Sequence, residues 1–205
     1  MKITLIVEGK TEKVFIQHLR RFLQTHLAGS MPSMKTHVYD GRIPKGAELQ
    51  RVVRKLLNDG ERSADNVIAL TDVYTGTTPP EFQDAQDAIR KMREWVGPEP
   101  RFHPHAAQYD FEAWLLPYWK TIQQLADHNK AAPPGVPESV NHARSPAYHI
   151  KEIFRIGRSG RAYVKTRDAA RILHDNDLII AVTACPQLKA LVNTILVTSG
   201  ANPIP

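Results

Sequence analysis

Four carboxylates stand where chemistry would need them: Glu8, Asp72, Asp110 and Glu112. Glu8 follows the apolar run Ile3 to Val7, and Asp72 follows the run Val67 to Leu70. Both runs have the aliphatic, β-branched composition of strands buried on two faces. Asp110 and Glu112 come just after a weaker run, 101–108. In an open parallel sheet, ligands gather outside the carboxyl ends of the strands. Glu8 and Asp72 are therefore expected to face one crevice, with Asp110 and Glu112 within reach of it. Hard oxygen donors grouped in this way suit Mg²⁺ or Mn²⁺ rather than zinc. The alternative for any single strand-end acid is a helix cap or a solvated loop residue. Gly9 allows a sharp turn between strand and helix, where the Gly9-Lys10 backbone can approach a phosphate closely. Gly9-Lys10-Thr11 fits neither G-x-G-x-x-G nor a Walker A loop, which argues against nucleotide binding by those routes.

The chain carries 27 Lys+Arg against 21 Asp+Glu, a formal net charge of +6 over 205 residues. That excess is local. Arg144, Lys151, Arg155, Arg158, Arg161, Lys165, Arg167 and Arg171 face only Glu152 and Asp168 in the same stretch, so the remaining chain is neutral. Such a segment attracts phosphate, most obviously nucleic acid, and on charge alone a solvated helical face is an equal alternative. Arg144, Lys151, Arg155, Lys165 and Arg167 are the candidate phosphate contacts, with Gly9 and Lys10. One cysteine excludes an internal disulfide framework, and Cys185 reads as a buried small hydrophobe at a helix start. Apolar runs are too short to span a bilayer or to serve as a signal sequence, so a cytoplasmic protein with no membrane partner is expected.

The elements that must hold these residues alternate. After Ile3 to Val7 comes a helix with Val14, Phe15, His18, Leu19, Phe22 and Leu23 as its apolar stripe and Thr11 as its N-cap. A strand over 35–39 follows, then a helix marked by Leu49, Val52, Val53, Leu56 and Leu57, then the third strand. Tyr74 to Pro80 is rich in turn formers, and 81–95 has helical spacing. Pro104 places the fourth strand near a sheet edge, and a helix starts at 111–116. This predicts an α/β fold: a doubly wound parallel sheet of about four strands between helices, over residues 1–130. Residues 131–205 predict a Pro-rich connection and a helical, basic appendage packed on the core. His103 and His105 share one side of a strand and read as structural surface residues. Trp95, Trp114 and Trp119 read as core anchors.

The ordered set of motifs carries a resemblance. Ile-Val-Glu-Gly-Lys-Thr-Glu at 6–12, followed by Asp72, resembles the TOPRIM superfamily of topoisomerase, primase and nuclease metal domains. The likeness extends to a short toprim-like family of unassigned function, related to nuclease partners of ABC-type ATPases in phage defence. Its pattern recurs as Asp72-Val73-Tyr74, Tyr109-Asp110-Phe111-Glu112-Ala113-Trp114-Leu115-Leu116, Pro137-Glu138-Ser139-Val140-Asn141, Tyr163-Val164-Lys165 and Cys185-Pro186-Gln187-Leu188. The resemblance implies a TOPRIM-like Rossmannoid core. It implies that Glu8 is a general acid/base or metal-site carboxylate, and that Asp72 is the first aspartate of an Asp-x-Asp metal motif. Tyr74 stands where the second aspartate would be. Glu112 or Asp110 is then the substitute ligand, and one metal ion is the expectation rather than two.

These residues support a Mg²⁺- or Mn²⁺-dependent phosphodiesterase, a DNA or RNA nuclease, with Lys165 or Arg144 balancing charge on the phosphate. The resemblance adds an ABC-type ATPase as partner. A catalytically degenerate partner or effector module is the alternative, motivated by the missing second aspartate. A phosphotransfer domain of receiver type ranks below both, because only Glu8 follows the first strand. Arg158 and Arg161 lie outside the recurring motifs and read as solvated.

Overall fold

A computed structural model of the chain describes residues 1–27, 29–74 and 77–205. Thr75 and Gly76, part of the turn-rich loop expected after the third strand, lie outside the described residues. Strands β1 (Lys2–Val7), β2 (Ser33–Val38), β3 (Asn66–Asp72) and β4 (Phe102–Ala107) form one sheet in the order β2-β1-β3-β4. Every neighbouring pair is parallel, with Val7 opposite Leu70 and Asp72 opposite Ala107. β4 is an edge strand, where a residue without an N–H such as Pro104 is tolerated.

The two central strands, β1 and β3, alternate between two buried faces, whereas β2 buries only Met34. Ile3, Leu5 and Val7 of β1 and Ile68 and Leu70 of β3 meet Phe15, Leu19 and Leu23 of α1 (Lys10–His26). Ile6, Val67 and Ala69 point the other way, onto Leu49 and Val53 of α2 (Gly46–Leu57) and Met92 and Val96 of α3 (Ala85–Val96). Burial of each such aliphatic side chain is worth roughly 1.5–3 kcal/mol, which is what drives helices onto both faces. The chain leaves β1 along one face and β3 along the other, so the direction of winding reverses between these two strands. An open parallel sheet has its natural ligand crevice at that reversal.

The expected N-cap at Thr11 is corrected: Gly9 caps α1 and Thr11 lies buried inside its first turn. The segment expected to begin a helix at 111–116 is a 3₁₀ helix, Phe111–Tyr118, leading into α4 (Trp119–Ala126). Pro117 lies within it, and its ring would crowd the Ala113 carbonyl of an α-helical turn.

Beyond the Pro-rich stretch come α5 (Pro146–Ile156), α6 (Lys165–His174), α7 (Leu178–Ala184) and α8 (Pro186–Thr198). Ile150, Phe154, Ile172, Leu188, Leu191 and Ile195 of these helices join β1, β3 and α1 in a single hydrophobic cluster. Cys185 is fully buried in it, and burial pushes its thiol up. No single helix among the described residues is long and apolar enough to cross a membrane.

Candidate functional site

The crevice is built by strand ends. β1 and β3 pair through Val7 and Leu70, so the next residues, Glu8 and Thr71, are also neighbours. The Thr71 hydroxyl donates to Glu8 Oε1, and the Asp72 backbone N–H donates to the same carboxylate. β4 runs out at Ala107 beside Asp72, and the Val73 N–H donates to the Ala107 carbonyl at 3.1 Å. The chain then turns through Tyr109 and delivers Asp110 and Glu112 into the 3₁₀ helix. Both acids are buried, Glu112 fully.

Each carboxylate is held by specific donors. Asp110 accepts the Ala147 N–H, 3.2 Å from Oδ2 and 3.3 Å from Oδ1, and the Ser145 hydroxyl. It thus caps the first turn of α5 across the fold, serving one of the N–H groups that a helix start leaves without a partner. Glu112 accepts the Tyr163 hydroxyl at 3.3 Å and Lys165 Nζ at 3.0 Å. Lys165 is the first residue of α6, where a cation gains nothing from the helix dipole. The carboxylates outweigh that: burial would lower the Lys165 ammonium, but Glu112, Asp72 and Asp110 hold it above its usual value.

A further acid comes from α1. Glu12, at the third position of that helix, is buried and folds back so that its carboxylate accepts the N–H groups of Gly9 and of its own backbone. A Cβ on residue 9 would come within 3.2 Å of Glu12 Oε2, so glycine gives this carboxylate its room. Residue type and spacing alone do not bring Glu12 to the site. A Glu three residues past a cap is the available signal, and it points to capping rather than to a shared crevice.

The electrostatics record the convergence. Burial lifts Glu8 from 4.5 to about 7, with Glu12 adding to the rise and Thr71, the Asp72 N–H and Arg42 opposing it. Asp72 stands well above the ordinary carboxylate range, through burial first and then the charges of Glu8, Glu12, Asp110 and Glu112. Asp110 rises to about 6 through burial and Glu112, against Ser145, Ala147 and Lys165. Like charges drawn into a low-dielectric crevice resist ionisation together. The expected set Glu8, Asp72, Asp110 and Glu112 therefore shares one electrostatic site with Glu12 and Lys165.

This donor set suits a hard divalent cation, because such a cation would favour the ionised carboxylates that burial and mutual repulsion now disfavour. It is not a ready-made shell: among the described residues, no three His, Cys, Asp or Glu side chains are already grouped to hold a metal ion. Lys165 sits on Glu112 and the α5 amide on Asp110, so two of the expected ligands are engaged within the protein.

The basic segment is less uniform than its sequence suggests. Arg155 pairs with Glu152 through two bonds of 3.0 Å, and Arg167 pairs with Asp168 in the same way. Arg161, read as solvated, instead binds Asp168 Oδ1 at 2.6 Å and the Leu125 carbonyl at 3.2 Å, and it lies over the Phe154 ring. Lys151 is exposed on α5 and Lys10 at the start of α1. The histidines of β4 are structural but not superficial: His103 bonds Asn66 at 2.9 Å, and burial lowers His105 to about 4.

With this geometry in view, the fold has counterparts. The C-terminal region of the Burkholderia pseudomallei OLD protein superposes with a TM-score of 0.51 at 13% identity, covering 96% of this chain and 98% of that one. The C-terminal region of the Xanthomonas campestris pv. campestris OLD protein, in a platinum-phased structure, gives 0.46 at 12% identity, covering 97% and 96%. At such identity the first likeness is one of fold. No curated protein matches the chain significantly. A family profile spans residues 7–196, from the end of β1 to the last turns of α8, and the chain belongs to that family, described as Domain of unknown function (DUF4276).

Proposed function

We propose that the chain is a cytoplasmic, metal-dependent phosphodiesterase of toprim type that cuts DNA or RNA. The observation that carries this reading is the convergence of Glu8, Asp72, Asp110, Glu112 and Glu12 on one crevice at the winding reversal, beside the ammonium of Lys165. Glu8, Asp72 and Glu112, with Asp110 next to them, would hold Mg²⁺ or Mn²⁺, which supplies polarisation of a phosphate oxygen and a lowered pKa of bound water. The chain's own residues do the rest. Glu8, lifted to about 7, is poised to take or give a proton near neutral pH. Lys165, half exposed, offers a cation to the charge that develops on phosphorus-bound oxygen. Arg144, Lys151, Arg155 and Arg167 lie exposed on the appendage, with Gly9 and Lys10 at the crevice, as backbone contacts.

By the same toprim resemblance, the partner we propose for it is an ABC-type ATPase of a bacterial defence system. A second reading, a degenerate module that binds the ATPase or nucleic acid without cutting, is favoured by Tyr74 in place of the second aspartate and by the Lys165–Glu112 pair. Purified protein with Mn²⁺ is expected to cut DNA or RNA, and Glu8→Gln to reduce cutting at least a hundredfold, as loss of a general acid/base does. Equal activity in that variant removes the proposed site. Calorimetric Mn²⁺ binding that is lost in Asp72→Asn supports the enzyme, and no Mn²⁺ binding in the wild type favours the module.

A further inference from the structure

Tyr74 lies two residues past Asp72 and leaves 39% of its surface exposed beside the carboxylates. The ring is exposed without being loose. It leans on Tyr109, with centroids 5.1 Å apart and planes at 43°. Its backbone N–H donates to the Tyr109 carbonyl at 2.7 Å, and the Asn141 side chain donates to its phenol oxygen. Tyr109 has φ 70°, a left-handed conformation that a bulky side chain adopts at a cost. Strain is thus kept in the residue that carries the supporting ring and immediately precedes Asp110. On the same rim the Arg144 guanidinium covers the Tyr148 ring at 4.2 Å, next to Ser145, whose hydroxyl holds Asp110.

We infer that Tyr74, backed by Tyr109, is a stacking seat for an unpaired nucleobase of the strand whose phosphate enters the carboxylate crevice. The inference rests on the nucleic-acid reading above and narrows it to single-stranded nucleic acid. A ring already backed by a neighbouring ring, on a main chain tied down by its own N–H, loses little freedom when a base covers it. A base inside a duplex has both faces covered by its neighbours and cannot use the seat, whereas an unstacked base can. Arg144 on Tyr148 offers a flat cation for the adjoining nucleotide. Where the toprim resemblance expects a second carboxylate, this chain places a contact for the base.

The test uses an oligonucleotide containing 2-aminopurine, in chelator so that nothing is cut. Wild type is expected to bind the single strand more tightly than a duplex of the same sequence and to quench the probe. Tyr74→Ala should weaken single-strand binding about tenfold and abolish quenching, the usual scale for one aromatic–base stack. Tyr74→Phe should retain both, since the ring and not the hydroxyl is the seat. Unchanged affinity in Tyr74→Ala, a Phe variant that behaves like Ala, or preference for duplex overturns the inference. Quenching that depends on Tyr74 in a protein that never cuts keeps the seat and removes the hydrolase. Cutting by a protein whose binding ignores Tyr74 does the reverse.

Discussion

Ionising Glu8 or Asp110 costs more in the folded protein than in the unfolded chain, because Asp110 is buried and Glu8 half-buried beside other acids. The folded state therefore keeps protons that the unfolded chain has released, between 4.5 and about 7 for Glu8 and between 3.8 and about 6 for Asp110. Their contribution to stability is present at the acid end and lost as pH rises through those windows. Melting temperature in chelator is expected to fall between about pH 5 and 7.5, and Glu8→Gln to flatten the fall. An unchanged slope in that variant would show that Glu8 does not share its charge with the cluster. Glu8 and Asp72 are legible in the sequence because each ends a strand, and parallel neighbours bring their ends together. Glu12 is not legible in the same way. Its place depends on a side chain that folds back over Gly9, and residue type reports that only as a cap. Arg161 was hidden for a similar reason: its partner Asp168 is fully buried, which charge counting does not reveal.

The elements follow periodicity where burial sets it and depart from it where single residues intervene. The β1 and β3 runs are apolar on both faces because helices cover both, and the stripe of α1 tracks its contact with the sheet. The helix expected to start at 111–116 is a 3₁₀ segment around Pro117, whose ring crowds the α form in a way that hydrophobic spacing does not register. Gly157 is a similar case between α4 and α5. Its φ of −77° suits any residue, but a Cβ there would be driven into the Ala126 carbonyl oxygen. The next two amides, Arg158 and Ser159, donate to Asp127 and Ala126 at 3.2 Å, so the backbone has no room to retreat. Gly157→Ala is expected to destabilise the protein by about 1–3 kcal/mol, the scale of overpacking, as measured by urea unfolding. A neutral result would mean that the two helices separate easily.

At the scale of the molecule, the two halves of the chain share both a core and a site. Asp168, fully buried at the start of α6, accepts bonds from Arg161, Arg167 and the Val164 N–H. Burial alone would raise its carboxyl, but these donors hold it below the usual range. Asp168→Ala is expected to cost about 3 kcal/mol in urea unfolding, because charged donors lose a buried acceptor. The same element carries Lys165 to Glu112, so the cost falls on the crevice as well as on the helix. That link has a consequence in time. Synthesis runs from the N-terminus, so Glu8, Glu12, Asp72, Asp110 and Glu112 all leave the ribosome before the lysine that faces them. Until residue 165 has emerged and α6 has docked, the acids repel one another without their tethered counter-charge. The crevice is therefore a late product of folding, and a chain interrupted before α6 carries the acids of the site without the arrangement that would put them to use.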